Sequence, residues 1–448
     1  MESMQNIYFL GIGGIGMSAL ARYFHKEGCV VSGYDRTASP LTLQMEAEGI
    51  AIHYTEDVSQ IPDAVDVVIY TPAVHPDNLE WKYLENKGVK FVKRAWVLGK
   101  ISESYETIAL AGTHGKTSMT TLVSLLCRGK EPVTAFIGGI ASNFNSNWLH
   151  DPNSRLLVVE ADEFDRSFLQ LHPDMAVVSA MDPDHLDVYH DERHLREAFD
   201  LFSQQIRPGG LLFTKPALSS CFHTMARICT YALEDPAADY FASDIRVADE
   251  GTFFNLHTPQ GVVKELLLPT AGLYNVENAV AAVAVALNRG VTETQVRKQL
   301  SQYHGVKRRF EYIIRRPDRI FIDDYAHHPN ELKACIESAR RWHPGRRICG
   351  IFQPHLYSRT RDFADEFAAQ LSTLDQVVLL DIYPARELPI AGVDSQMLLD
   401  KIQLKEKYLC TKESLIPFLQ ELQPEVLLTM GAGDIDRLIE KIKNALYV

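Results

Sequence analysis

The sequence predicts an α/β protein of three domains, and three observations carry that reading. At 448 residues the chain is too long for one core, since cores stop growing near about 250–300 residues and a domain averages about 150. Short apolar runs alternate with amphipathic stretches three times over, the pattern of strands and helices in largely parallel sheets. Two glycine loops, one at 11–16 and one at 112–115, each follow an apolar run and open a helical stretch.

Composition agrees. Hydrophobic residues make up 46% and charged residues 23%, which is ordinary for a folded globular chain and not for a disordered one. The 45 basic and 58 acidic residues leave a net charge of −13, which speaks against a nucleic-acid-coating or membrane-surface protein. Seven cysteines, at 29, 127, 221, 229, 335, 349 and 410, form no C-x-x-C pair. A disulfide framework or structural zinc site is therefore not expected. The start, Met-Glu-Ser-Met-Gln, has no basic leader, and the most apolar run, Ala279–Leu287, is far shorter than the ~20 residues of a membrane span. The expectation is a soluble, cytoplasmic protein with no nucleic-acid or membrane partner.

The first group of strands is expected at Ile7–Leu10, Val30–Tyr34 and Val65–Tyr70, with a helix over Met17–Lys26. A second comprises Glu106–Ala111, Leu156–Val159 and Met175–Ser179. A third comprises Arg319–Ile322, Ile348–Phe352, Gln376–Leu380 and Val426–Thr429. Boundaries near 103 and 313 divide the chain into domains 1–103, 104–313 and 314–448. Residues 218–268 alternate less clearly and read as an antiparallel edge.

The N-terminal loop Gly11-Ile12-Gly13-Gly14-Ile15-Gly16 lies between strand and helix. Glycines let backbone approach a pyrophosphate, and the helix start offers free N–H groups and the positive dipole end. Asp35, at the end of the second strand, suits a ribose hydroxyl. The first domain is thus Rossmann-like, and NAD(H) and a UDP-sugar fit it equally well.

The second loop, Gly112-Thr113-His114-Gly115-Lys116-Thr117-Ser118, follows the strand ending at Ala111. Lys116 suits β/γ-phosphate charge and the Thr117 hydroxyl suits Mg²⁺. Position 110 is Leu rather than Gly, so the loop is G-x-x-G-K-T, a departure from the ordinary Walker spacing. The central domain is expected to be a P-loop ATPase-type domain. Glu160, Asp162, Glu163 and Asp165 follow the strand Leu156–Val159, and Asp182, Asp184, His185 and Asp187 follow Met175–Ser179. Acids and an imidazole at strand ends opposite a phosphate loop point to a magnesium site, with a solvated acidic turn as the plain alternative. His190 and His194 are spaced for zinc, but without further ligands they read as a wet helical face. In the last third, Asp323-Asp324, Gln353-Pro-His355, Asp381 and Gly431-Ala-Gly433-Asp434 each follow an expected strand, where open α/β sheets gather ligands. Arg359, Arg361 and Arg386 sit in or beside these loops.

These residues resemble the Mur ligases, the ATP-dependent amide-bond-forming enzymes of peptidoglycan synthesis. The likeness runs over nearly the whole chain: Gly-Ile-Gly-Gly-Ile-Gly-Met at 11–17, Gly-Thr-His-Gly-Lys-Thr at 112–117, Glu-Ala-Asp-Glu-Phe-Asp at 160–165 and Asp-His-Leu-Asp at 184–187. It continues with Asn-Val-Glu-Asn-Ala at 275–279, Gly-Val-Lys-Arg-Arg-Phe at 305–310, Asp-Asp-Tyr-Ala-His-His-Pro at 323–329 and Phe-Gln-Pro-His at 352–355. The last two motifs resemble the alanine-adding branch.

The resemblance implies that L-alanine is joined to the carboxylate of UDP-N-acetylmuramate through an acyl phosphate, with ATP and Mg²⁺, by a monomer or homodimer whose C-terminal, Rossmann-like domain closes over the other two. It implies that Gly112, Thr113, His114, Gly115, Lys116, Thr117 and Ser118 hold phosphate, and that Thr117, Glu160 and His185 hold Mg²⁺. Asn275 and Asn278 would meet adenine, Asp323 the ribose and Arg309 phosphate. Gly11, Gly13, Gly14, Gly16, Asp35 and Thr71 would hold the UDP-sugar. Tyr325, His327, His355 and Arg359 would face the substrate carboxylate and the amino acid. Lys116, Glu160, His185, Arg309 and His327 would carry the catalysis, with His327 or His328 taking the ammonium proton or only positioning substrate.

Three departures stand out. Tyr274 replaces a common histidine, Leu356 a common arginine, and residues 186–214 hold no lysine of the kind carbamylated in sister ligases. A dehydrogenase would leave Lys116, Glu160 and His185 unexplained, and a P-loop switch would leave the first glycine loop idle. The murein-peptide recycling ligase is the nearest rival.

Overall fold

The computed structural model of the protein describes residues 4–183, 189, 191–385 and 387–446. Three sheets organise the chain. The first contains β1 (Asn6–Leu10), β2 (Val30–Tyr34), β3 (Ala51–His53), β4 (Val67–Tyr70) and β5 (Lys90–Lys93), in the order β3-β2-β1-β4-β5. All its pairings are parallel. The chain leaves β1 for one side and returns to build the other, so the glycine loop after β1 lies at the point where strand order reverses.

The second sheet has the order β15-β14-β13-β12-β11-β10-β6-β9-β7-β8. Its strands are β6 (Glu106–Ala111), β7 (Val133–Ala141), β8 (Ser146–Leu149), β9 (Leu156–Glu160), β10 (Met175–Val178), β11 (Leu211–Thr214), β12 (Arg227–Leu233), β13 (Tyr240–Ala248), β14 (Gly251–Thr258) and β15 (Gly261–Leu268). β6 lies between β9 and β10, parallel to both, so the phosphate loop after β6 is flanked by the two strands whose ends carry the acids. The expected antiparallel edge over 218–268 is corrected in part. β12 runs parallel to both β11 and β13, and antiparallel geometry is required only at the two-residue turns 249–250 and 259–260, which parallel strands cannot make.

The third sheet has the order β16-β17-β21-β18-β19-β20, from β16 (Glu311–Arg315), β17 (Ile320–Asp324), β18 (Ile348–Phe352), β19 (Gln376–Leu379), β20 (Lys407–Leu409) and β21 (Val426–Met430). β16 is the antiparallel edge and the other pairings are parallel. β17, β18 and β21 are buried at every position, which is why their apolar residues come consecutively rather than in alternation. Asp323 and Asp324 belong to β17 itself, two residues beyond the expected strand end.

The chain packs as two compact units: residues 1–243, 255–266 and 278–303, and residues 244–254, 267–277 and 304–448. In the first, one apolar cluster draws on both sheets and their helices, with Phe9 and Ile69 from the first sheet, Phe136, Trp148 and Leu157 from the second, and Leu20 and Phe199 from helices packed on them. Burying each such side chain contributes about 1.5–3 kcal/mol. Arg22, on the helix Ile15–Lys26, reinforces this join. It is paired with Glu48 at 2.6 Å, donates to Ser146 Oγ at 3.0 Å and lies over the Trp148 ring. In the second unit the two faces of the third sheet fill separately, one around Ile322, Phe352 and Leu428, the other around Phe321, Ile351 and Leu427. All seven cysteines are free. Among the described residues no helix is long and apolar enough to cross a membrane.

Candidate active site

The phosphate loop is built by backbone geometry. Gly112 has φ +123° and Gly115 φ +81°, values that favour glycine. A Cβ on Gly112 would overlap Ser179, and one on Gly115 would stand 2.5 Å from Asn278 Oδ1. Gly115 caps the helix Lys116–Arg128 with no side-chain bond, so the first-turn amides face outward at the positive dipole end. The loop is braced by the segment after β10. Thr113 N donates to the Ala180 carbonyl at 3.0 Å, Asp182 N donates to Thr113 Oγ1 at 3.1 Å, and His114 pairs with Asp182 at 3.1 Å. Ser179 Oγ donates to the His114 carbonyl. Thr117 and Ser118 are buried in the first helical turn.

Lys116 is anchored at three points. Its Nζ donates to the Gly112 carbonyl and to both Glu163 oxygens, each at 2.8 Å. Glu163 is 1% exposed. Burial works against the ammonium, but Glu163, Asp162 and Glu160 outweigh it and raise Lys116 to about 12. Burial also lifts the Glu163 carboxyl, while the Lys116 charge and its two contacts at 2.8 Å pull the other way and favour the carboxylate. Glu160, at the end of β9, accepts from the Gly138 amide at 2.9 Å. Asn278 adjoins Gly115, whereas Asn275, on the same helix Leu273–Asn288, donates to the Ala271 carbonyl at 2.6 Å.

At the first glycine loop, Gly11 has φ +83° and a Cβ there would meet Thr71 at 2.7 Å. Asp35 holds backbone on both sides: Oδ2 accepts from Gly13 N at 2.8 Å and Oδ1 from Thr37 N at 3.1 Å. Gly14 caps the following helix without a side-chain bond, and Gly16 lies against Arg94.

In the second unit, Asp323 accepts from Arg308 Nε at 3.1 Å and from Thr429 Oγ1 at 2.7 Å. The Arg308 and Arg309 guanidiniums both lie over the Tyr325 ring, at 5.2 and 5.0 Å. Asp324 accepts from Phe310 N, Ala326 N and the Tyr274 hydroxyl. Tyr274 thus braces the loop around Asp324, which accounts for a tyrosine there. His328 caps the helix Pro329–Trp342 and packs against Phe363, 4% exposed. His327 is the more accessible of the two, its Nδ1 3.1 Å from Glu331 and its ring edge-on to Tyr325 and His355. His355 stacks on Tyr383. Arg359 is 9% exposed. Leu356 holds φ +69°, a strained value for a leucine; nothing in the structure explains the leucine.

His185, Asp184 and Asp187 lie outside the described residues, as do His190 and Arg386. Among the described residues no three His, Cys, Asp or Glu side chains cluster as a metal site. Sequence reasoning overlooked Arg308, hidden in a run of three basic residues, and Gly138, whose partner is remote in the chain. It also left Glu163 undifferentiated among four acids.

A glycine-loop sheet, a G-x-x-G-K-T loop on a second, mixed sheet and a third, largely parallel sheet define a three-domain nucleotide-dependent ligase architecture. Family models match in that order: Mur ligase family, catalytic domain, at 6–106; Mur ligase middle domain at 110–286; and Mur ligase, glutamate ligase domain, at 308–433. The chain belongs to the Mur ligase family. It is 47% identical to a UDP-N-acetylmuramate–L-alanine ligase of Porphyromonas gingivalis, covering 99% of both chains. It is 42% identical to one of Cytophaga hutchinsonii, covering 99% of this chain and 97% of the other. Among solved structures it is similar to the UDP-N-acetylmuramate–alanine ligase of Thermotoga maritima, with TM-score 0.83, 28% identity and 98% of both chains covered.

Proposed function

We propose that the protein joins L-alanine to the carboxylate of UDP-N-acetylmuramate, forming ADP and phosphate, in cytoplasmic peptidoglycan precursor synthesis. The observation that carries this is the braced Gly112–Ser118 loop with its anchored lysine, in a chain alike over its full length to ligases of that name. Domains 1–103, 104–313 and 314–448 would serve the UDP-sugar, ATP and the amino acid.

A carboxylate does not condense with an amine in water because hydroxide leaves poorly. Transfer of the γ-phosphoryl group gives an acyl phosphate, which the amine attacks and from which phosphate departs. Charge gathers on the transferring group, so cations aimed at it lower the barrier. In this reading Lys116 and the first-turn amides of 116–118 hold the phosphates, and Asn278 adjoins the base. The oxygen donors Thr117 and Glu160 suit a hard cation, with His185 proposed as the third ligand. Mg²⁺ bound there would offset repulsion between the phosphates and the acceptor carboxylate. Arg309 would meet phosphate and Asp323 the ribose. Tyr325, His355 and Arg359 would position the substrates, and His327 would take the ammonium proton. Gly11, Gly13, Gly14, Gly16 and Thr71 would receive the UDP-sugar, with Asp35 holding their loop.

The test is phosphate release from ATP with UDP-N-acetylmuramate and one amine at a time. L-alanine should drive stoichiometric release. Glycine should be used poorly, because one methyl group is worth roughly 1–3 kcal/mol in a small pocket. Faster turnover with a tripeptide would overturn the alanine assignment in favour of the recycling ligase.

A further inference from the structure

Glu163 has no part in the chemistry above, yet it is the buried carboxylate in contact with the lysine that serves the phosphates. The three protons of the Lys116 ammonium match three acceptors at 2.8 Å: the Gly112 carbonyl and the two Glu163 oxygens. A phosphate oxygen can be met by this ammonium only if one of those bonds is released. We propose that Glu163 is a positioning residue that competes with nucleotide phosphate for Lys116, holding phosphate affinity down and so setting how fast ADP leaves.

The local structure makes Glu163 a rigid competitor. Its carbonyl accepts from the Tyr189 hydroxyl at 2.5 Å and from Arg166 N at 3.0 Å. Asp165 and Arg166 take left-handed φ values of 53° and 54°. This folds the acidic segment back on itself, and Phe168 N closes it onto the Asp162 carbonyl at 2.9 Å. Phe168 is buried and stacks on Phe202, so the segment is pinned to the core. Surface pairs also hold it, Lys93 with Asp165 at 3.0 Å and Arg94 with Asp162 at 3.5 Å. These contacts fix the backbone that carries the carboxylate, and with the side chain only 1% exposed it has little room to swing aside. The lysine, on its flexible stem, is the partner that moves.

Two consequences separate this from a merely structural role. Phosphate-bearing ligands should gain affinity when Glu163 loses its charge, and ligands without phosphate should not. The gain should also run through Lys116. The inference rests on the reading of the loop as the ATP site.

The experiment is calorimetric binding of ADP with Mg²⁺, and of adenosine, to the full chain in wild-type, Glu163→Gln and Glu163→Asp forms. UDP-N-acetylmuramate binding serves as the check that each variant is folded. Glu163→Gln should bind ADP roughly ten-fold tighter, the scale of one charge-assisted hydrogen bond, with adenosine unchanged. Its kcat and KM for ATP should fall together as ADP release slows. Glu163→Asp should return ADP affinity toward wild type. In a Lys116→Ala background the Gln substitution should lose its effect. Weaker or unchanged ADP binding in Glu163→Gln overturns the competition, as does a gain that persists undiminished without Lys116. Should Glu163→Gln fail the folding check, Glu163→Ala carries the same expectations. Failure of wild type itself to bind ADP would refute the loop's assignment along with this inference.

Discussion

Gly138→Ala separates the placement of the Glu160 carboxylate from its presence. Gly138 lies in β7, two positions beyond Phe136, which pairs with Val159. Its amide donates to Glu160 Oε2 at 2.9 Å, and a Cβ built there overlaps the carboxylate group. The alanine methyl and the carboxylate cannot share that space, so the Glu160 side chain must rotate away and give up the amide bond. The stability cost is small. The displaced group is the end of a flexible side chain, and the lost hydrogen bond, about 0.5–1.5 kcal/mol, is offset by about 0.4–1 kcal/mol from stiffening the unfolded chain. Misaiming a metal-binding carboxylate is costlier: loss of its orienting partner typically weakens metal affinity 10–100-fold, or about 1.4–2.7 kcal/mol. In a Mg²⁺ titration of L-alanine-dependent phosphate release, the half-saturating Mg²⁺ should rise roughly ten-fold or more, with excess Mg²⁺ restoring part of the rate. The melting temperature should move by only a few degrees. An unchanged Mg²⁺ dependence in a folded variant would refute the reasoning, because the carboxylate would then work equally well from another position.

Further outcomes follow from other contacts. Lys116→Ala should lower phosphate release by about 10²–10³-fold, the scale of removing one preorganised donor, while calorimetry finds UDP-N-acetylmuramate binding largely kept. Arg22→Ala removes a twofold pair with Glu48 and the bond to Ser146, and should cost about 2–4 kcal/mol in urea unfolding; a loss under about 0.5 kcal/mol would count against Arg22 as a join between the first two sheets. Burial lifts Asp324 from 3.8 to about 6, against the Arg309 charge and two backbone amides. A carboxyl raised on folding stabilises below its unfolded pKa and loses that contribution as pH rises through its folded one. Relative to Asp324→Asn, wild type should therefore lose up to about 3 kcal/mol between pH 4 and 7. A flat difference in urea midpoints across that range would contradict the burial argument.

Strands in the interior of parallel sheets announced themselves. Val30–Tyr34, Glu106–Ala111 and Ile348–Phe352 were legible to the residue, because a largely buried strand carries a mostly apolar run bounded by turn or helix signals. β3 and β20, of three residues each, and the edge strand β16 were not. Short, half-exposed segments carry too little periodicity, and their place is decided by the neighbour they pair with. The phosphate loop was legible because its chemistry is local: glycines, lysine and threonine act through backbone geometry within a few residues.

The architecture, the two glycine loops and the family are therefore written in contiguous residues. Tertiary structure alone decided how similar side chains divide their work. Asp35 turns back to hold Gly13, while Glu160 and Glu163, from one acidic run, go to Gly138 and to Lys116. His328 becomes a buried helix cap and His327 stays accessible. Identical functional groups have identical intrinsic chemistry. What distinguishes them is which amide, ammonium or ring the fold brings within about 3 Å, and those partners come from distant parts of the chain.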